Sequence, residues 1–169
     1  YLGLAYHRQF DVPVTIVRLF NTIGPRQSGH YGMVIPRFVD QALAGEKLTI
    51  YGDGTQTRSF CDVRDTVRAL LALVSEPTAS GGVFNIGSPD EIGILELAQR
   101  VLRLARGHDG PDSALDSHLR FVPYDEAYEA GFEDMHRRVP DLRRIHKAIG
   151  WAPRIPFETT LKDVIAHER

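Results

Sequence analysis

Arg18-Leu19-Phe20-Asn21-Thr22-Ile23-Gly24-Pro25-Arg26-Gln27 decides the fold. The residues before it, Val14-Thr15-Ile16-Val17, run into it as a β-branched, mostly apolar segment ending at Phe20, the composition of a strand buried in a parallel sheet. Gly24-Pro25 then breaks the strand, because glycine and proline favour turns and proline has no N–H for a ladder. An amide side chain, Asn21, is thereby left at a strand's carboxyl end, where open α/β sheets bind their ligands. Spacing alone leaves two readings of Asn21: it faces a ligand, or it caps the turn.

Working outward, strands and helices alternate. Tyr1 to Phe10 already runs at helical spacing with no N-cap before it and reads as the tail of a longer helix. Ile35 to Ala44 reads as a helix, with Pro36 in its first turn and Gly45 just past its end. Leu48-Thr49-Ile50-Tyr51 is a short strand followed by the turn residues Gly52-Asp53-Gly54. Asp65 is placed to cap a helix whose Val67, Leu70, Leu71 and Val74 share one face, expected to point inward. Gly82 to Gly87 is a further strand, and Ile94 to Arg106 a strongly amphipathic helix. The polar stretch Gly107 to Ser117 reads as an exposed loop, and Leu119 to Val122 as an edge strand. Asp141 to Ile149 forms a helix ended by Gly150, and Phe157 to His167 a last helix with Leu161, Val164 and Ile165 inward. The class is α/β.

Composition narrows the function. The chain has 169 residues, 43% hydrophobic and 25% charged, enough for one core of ordinary size. A net charge of -2 argues against nucleic acid or an anionic membrane surface as partner. No apolar run approaches the roughly 20 residues of a membrane span. The single cysteine, Cys61, permits no internal disulfide and fits a reducing, cytoplasmic setting; it has no visible activating partner and reads as packing. The seven histidines are scattered without metal-ligand spacing, so no metal site is expected.

Tyr51-Gly52-Asp53-Gly54-Thr55-Gln56-Thr57-Arg58 is the second informative stretch. Arg58 follows a glycine turn and opens the apolar run Phe60-Cys61-Asp62-Val63, so its guanidinium is launched from a fixed backbone. A diphosphate suits a planar donor fork, which arginine supplies and lysine does not. Tyr51 read by itself is a half-buried strand aromatic. The pair Gly52-x-Gly54 is not a dinucleotide loop, since the third position is Thr57 and no long helix follows. No tyrosine has a lysine four residues on, and no Gly-x-Gly-x-x-Gly opens a helix.

A third stretch, Arg137-Arg138-Val139-Pro140-Asp141, precedes Gly150-Trp151-Ala152-Pro153. Together, and in this order, the three resemble the Arg-x-Phe-Asn-x-x-Gly-Pro, glycine-turn-to-Arg and Arg-x-x-Asp motifs of extended short-chain dehydrogenases/reductases acting on nucleotide sugars. The resemblance covers essentially the whole chain. It implies the end of a doubly wound Rossmann-type parallel sheet, with residues 1–24 its last part, and a smaller α/β nucleotide-sugar-binding lobe formed mainly by 25–169 with returning Rossmann elements. It gives Leu19, Phe20 and Thr22 to the nicotinamide end of NAD, and Asn21 to the diphosphate-sugar. Arg58 and Arg138 become a diphosphate clamp, and Tyr51 packs on the nucleobase. Asn85 reads the base edge, Asp141 contacts a ribose or caps its helix, and Val34, Ile35 and Phe38 line the same pocket.

In such enzymes NAD takes a hydride from carbon 4 of the sugar while an ionised tyrosine removes the hydroxyl proton. None of the proton-transfer residues lies in this chain, so no catalytic residue is assigned. Gly29 to Met33, Pro123 to Tyr128 and Gly131 to Met135 look most like UDP-glucose 4-epimerases. The expectation is therefore the substrate-binding part of an NAD-dependent, cytoplasmic and homodimeric 4-epimerase for UDP-glucose. UDP-glucuronate decarboxylation, sugar-nucleotide dehydration and a non-catalytic nucleotide-sugar or protein-binding domain are the alternatives. The chain alone is expected to be inactive.

Overall fold

A computed structural model describes residues 2–29, 33–107, 111–127 and 135–169. The first helix is α1 (Leu2–Phe10), followed by β1 (Ile16–Leu19), β2 (Thr22–Ile23) and α2 (Val34–Leu43). Next come β3 (Leu48–Tyr51), β4 (Thr57–Ser59), β5 (Cys61–Asp62), α3 (Val63–Val74) and β6 (Val83–Ile86). β7 (Glu91–Gly93), α4 (Ile94–Arg106), α5 (Asp112–Leu115) and β8 (Leu119–Val122) lead to α6 (Tyr124–Ala127), β9 (Arg137–Arg138), α7 (Arg143–Ile149) and α8 (Phe157–Glu168). Their contacts divide the chain into two units, each built from three separate segments.

The first unit comprises Tyr1–Thr22, Ser59–Asp90 and Val139–Ile155. Its sheet is the parallel pair β1–β6, with Val17 opposite Phe84, Arg18 opposite Asn85 and Leu19 opposite Ile86. Phe84 and Ile86 point to one face, where Ala69 and Leu73 of α3, Ile145 of α7 and Trp151 join them in a buried cluster. β1 is parallel as its composition predicts, but it is not buried: Arg18 is exposed and Leu19 is 52% exposed. The reason is local, since β6 is the strand's one ladder partner among the described residues.

Helix α3 differs from its sequence reading. Its cap is Asp62, whose carboxylate accepts the Arg64 N–H at 2.7 Å. Asp65 lies within the first turn and is buried, where it accepts the N–H groups of Arg154 (2.7 Å) and Ile155 (2.8 Å) and an Arg68 Nη2 donor (2.6 Å). The Trp151 indole N–H donates to the Asp65 carbonyl at 3.1 Å. These contacts set the rotation of the helix about its axis. Asp65, Thr66, Ala69 and Leu73 face in, while Val67, Leu71 and Val74 face out, against the expected orientation. Burial favours the neutral acid, yet the Ile155 N–H, Arg68 and the Arg154 N–H outweigh it and hold the Asp65 carboxyl below its ordinary range.

The second unit comprises Ile23–Arg58, Glu91–Arg138 and Pro156–Arg169. β3 and β8 pair in parallel, Leu48 opposite Leu119 and Ile50 opposite Phe121. Helices α2, α4 and α8 pack together here, burying Ile35, Phe38, Leu97, Val101 and Leu161. Arg106, in the last turn of α4, donates to the carbonyls of Ala42 (2.8 Å) and Glu46 (2.6 Å), setting a cation at the carboxyl end of α2. The stretch read as an exposed loop instead carries α5, because Leu115 is 1% exposed and needs a folded turn to reach the core. A second sheet, in the order β7–β4–β9, lies in the same unit.

Candidate functional site

In the second unit, the parallel register of β4 and β9 sets Arg58 opposite Arg138 and Thr57 opposite Arg137. Residues directly opposite in neighbouring strands share a face, and successive residues alternate faces. On one face Arg137 forms an ion pair with Glu91 (Nη2 to Oε1, 2.5 Å), and the Thr57 hydroxyl donates to the same carboxylate at 3.0 Å. The Arg137 donors hold the Glu91 carboxyl below its ordinary value. The opposite face carries Arg58 and Arg138, both half-buried. Arg58 Nη1 is fixed by donating to the Thr57 and Met135 carbonyls, each at 2.7 Å. Two like charges in direct register destabilise a strand pair unless an anion lies between them.

Tyr51 is half-buried at the end of β3, with the Arg37 guanidinium 4.4 Å from its ring centroid. Arg37 in turn donates to the Thr49 carbonyl at 3.1 Å. Val34, the first residue of α2, is half-buried, whereas Ile35 and Phe38 are 1% and 0% exposed. Those two side chains pack in the core and present no surface for a ligand to touch.

In the first unit the end of β1 is tightly held. The Phe20 N–H donates to the Ile86 carbonyl at 2.9 Å. Asn21 then takes a left-handed backbone (φ 36°), which asparagine tolerates better than most residues. Its Nδ2 donates to the Ser59 carbonyl at 2.8 Å, and its own carbonyl accepts the Cys61 N–H at 3.1 Å. Part of the Asn21 amide thus serves the turn. Thr22 shares a hydroxyl hydrogen bond with Thr66 at 3.3 Å. Gly87 follows β6 where a Cβ would come within 2.8 Å of both Phe20 Cβ and Pro140 Cγ, so only glycine admits this close approach.

Asn85 and Asp141 are brought together: the Asn85 Nδ2 donates to the Asp141 carbonyl at 3.1 Å. The Asp141 carboxylate accepts from Arg143 three ways, N–H at 2.9 Å, Nε at 3.0 Å and Nη2 at 2.6 Å, and those bonds hold its pKa at about 2. Arg18, Val83 and Arg144 complete the lining of a concavity of about 370 Å³ around these residues. Arg18, Arg144 and Arg37 were not singled out from sequence. Arg18 sits inside the first motif, but its pairing with Asn85 follows from a ladder between distant segments. Arg37 over Tyr51 likewise depends on how α2 crosses β3.

Cys61 is buried, which pushes its thiol up to about 11 and leaves it a poor nucleophile. Among the described residues no group of three or more His, Cys, Asp or Glu side chains could hold a metal ion, and no helix is long and apolar enough to cross a membrane. Half of the residues in the segments that look most like UDP-glucose 4-epimerases, 30–32, 128 and 131–134, lie outside the described residues.

The model of the NAD dependent epimerase/dehydratase family matches residues 1–87. A UDP-N-acetyl-alpha-D-glucosaminuronate decarboxylase of Bacillus cytotoxicus is 41% identical over 97% of this chain and 48% of its own length. UDP-glucuronic acid decarboxylase 1 of Danio rerio is 39% identical over 96% of this chain and 35% of its own. The chain thus spans about a third to a half of these relatives. Among solved structures, UDP-glucuronic acid 4-epimerase of Bacillus cereus, in complex with UDP-glucuronic acid and NAD, matches 98% of this chain and 48% of its own at a TM-score of 0.81 and 25% identity. A dTDP-glucose 4,6-dehydratase of Bacillus anthracis in complex with NAD matches 99% of this chain and 48% of its own at a TM-score of 0.82, and at 24% identity it shows the shared Rossmann-like α/β fold. With the family model running over more than half of its residues, from α1 through β6, the chain belongs to the NAD dependent epimerase/dehydratase family.

Proposed function

We propose that this chain is the nucleotide-sugar-binding part of an NAD-dependent enzyme that decarboxylates a UDP-hexuronate, with Arg58 and Arg138 gripping the diphosphate. The observation that carries the binding role is their direct register on β4 and β9, two guanidinium forks on one face of a small sheet. Arg37 lies over the Tyr51 ring, so a nucleobase stacked on Tyr51 meets an aromatic already packed against a cation. The reaction type rests on the relatives. Relatives matching at 37 to 41% identity include decarboxylases of UDP-glucuronic acid and of UDP-N-acetyl-alpha-D-glucosaminuronate, which favours decarboxylation over the UDP-glucose 4-epimerase expected from sequence. Epimerisation at carbon 4 of UDP-glucuronic acid is the second reading, favoured by the Bacillus cereus structure.

NAD, when bound, supplies the hydride acceptor. The residues here fit only its nicotinamide end: Leu19 offers a half-exposed apolar surface beside Phe20 and Thr22, and no Gly-x-Gly-x-x-Gly loop is present for the pyrophosphate. Asn21 and Asn85 remain assigned to the sugar nucleotide. A cytoplasmic homodimer is the expected state of the whole enzyme. The test is co-expression with the amino-terminal half of a decarboxylase relative. Carbon dioxide release from UDP-glucuronate and conversion of UDP-glucose to UDP-galactose are then measured side by side. Carbon dioxide release is expected; UDP-galactose without carbon dioxide would overturn the decarboxylase reading.

A further inference from the structure

We propose that Glu91 of β7 is a positioning residue that selects which arginine of β9 stands beside Arg58, an inference that rests on the reading of Arg58 and Arg138 as the diphosphate clamp. β9 is two residues long, and both are arginines. In an ordinary strand a slip of one residue is penalised because it carries apolar side chains to the wrong face. Here a slip that brings Arg137 opposite Arg58 exchanges one guanidinium for another, so the side-chain pattern of β9 does not by itself exclude it. Such a slip would turn Arg138 to the other face, since successive residues alternate.

Glu91 removes that ambiguity. The sheet runs β7–β4–β9, and the Glu91 carboxylate reaches from one outer strand over the central one to the other. Arg137 meets it as a fork, Nη2 to Oε1 at 2.5 Å and Nε to Oε2 at 3.0 Å, while the Thr57 hydroxyl of β4 donates to Oε2 at 3.0 Å. One carboxylate thus gathers a side chain from each of the other two strands, and its two donors are the residues set opposite each other in the ladder. The main chain agrees with this register, the Thr57 N–H donating to the His136 carbonyl at 2.8 Å. The slipped register would set His136 opposite Thr57, a side chain without the planar donor fork that takes both oxygens of a carboxylate.

A lone exposed ion pair contributes little to stability, and the Arg137 side chain is 69% exposed. The contribution of this pair is geometric. With Arg137 held on the Glu91 face, strand alternation leaves Arg138 on the opposite face in direct register with Arg58. Binding sites hold their contact groups in place through such supporting partners, which touch no ligand themselves.

Calorimetry titrates UDP into the chain, comparing the parent with Arg58→Ala, Arg138→Ala, Glu91→Ala and Glu91→Ala/Arg138→Ala, each checked for folding by circular dichroism. Glu91→Ala is expected to lower UDP affinity about tenfold, the low end of what outer-shell partners contribute at metal sites. Without Glu91 the Arg138 fork is no longer held in place. Adding Arg138→Ala to that variant should therefore cost less than about threefold more, against at least about tenfold in the parent. UDP affinity within twofold of the parent in Glu91→Ala overturns the proposal. A double variant whose loss is the product of the two single losses also overturns it, by making Glu91 and Arg138 independent. Unchanged affinity in both Arg58→Ala and Arg138→Ala, or no UDP binding by the parent, overturns the diphosphate reading and this inference with it. Should Glu91→Ala not fold, a measurement on the parent alone decides: UDP should protect Arg58 and Arg138 from phenylglyoxal while Arg137 is labelled at its ligand-free rate. Protection of Arg137 equal to that of Arg138 makes it a ligand contact and overturns the proposal.

Discussion

Replacing Asp65 by alanine should destabilise the first unit by about 3 to 5 kcal/mol, the range for breaking a buried charged network by removing one partner. The carboxylate accepts the main-chain N–H groups of Arg154 at 2.7 Å and Ile155 at 2.8 Å, and an Arg68 donor at 2.6 Å. A hydrogen bond to a charged group contributes about 1.5 to 3 kcal/mol, so the two main-chain bonds alone account for the lower end of that estimate. Arg68 is 33% exposed at its side chain and rehydrates, which limits its share. Asp65→Asn keeps the shape, loses the charge, and should cost roughly half as much. The pH dependence has a definite sign. The folded carboxyl titrates below its ordinary value, so the unfolded chain binds more protons as pH falls. The stability gap between the parent and Asp65→Asn is then full above about pH 5 and shrinks as pH drops through about 4 and below. Urea unfolding followed by fluorescence reads this well, because the single tryptophan, Trp151, is 2% exposed and donates to the Asp65 carbonyl. A loss under about 1 kcal/mol for Asp65→Ala, or a gap for Asp65→Asn that stays constant from pH 7 to 3, would refute the reasoning.

Arg58→Ala should weaken UDP binding by about 1.5 to 3 kcal/mol, roughly 10- to 150-fold, and Arg58→Lys should recover only part; calorimetry with unchanged affinity would remove Arg58 from the diphosphate site. Cys61, its thiol pushed up to about 11 by burial, should resist Ellman's reagent at pH 8 in the folded chain and react fully in urea; fast native labelling would contradict that burial. Gly54→Ala should cost more than Gly107→Ala. Both glycines have left-handed backbones, φ 77° and 66°, costing about 1 to 2 kcal/mol with a side chain. Only at Gly54 does a Cβ meet crowding, 3.1 Å from Leu95 Cβ and 3.2 Å from Ile50 Cγ2. Equal melting temperatures for the two variants would contradict the packing around that turn.

Composition and local pattern determined the α/β class, most helix positions and the motifs that carry the family. The strand Leu48 to Tyr51 and the helix stop at Gly150 were legible because each depends on neighbours in sequence. Arg58 stood out by its place after a glycine turn, whereas Arg138 entered only through the family resemblance. Their placement side by side was not legible, since a ladder between β4 and β9 joins distant segments and two-residue strands such as β9 have no periodicity to detect. The rotation of α3 shows the same limit. Its large apolar residues define a stripe, but the buried carboxylate of Asp65, reaching Arg154 and Ile155, decides which side faces the core. Ile35 and Phe38 entered the candidate site from resemblance and were placed in the core by packing of α2 against α4 and α8. The pairing of Arg18 with Asn85 and the reach of Arg144 to Val83 belong wholly to the tertiary structure. Sequence sets which donors and apolar faces exist; which of them meet is settled by strand register and helix rotation, and both depend on contacts between residues far apart in the chain.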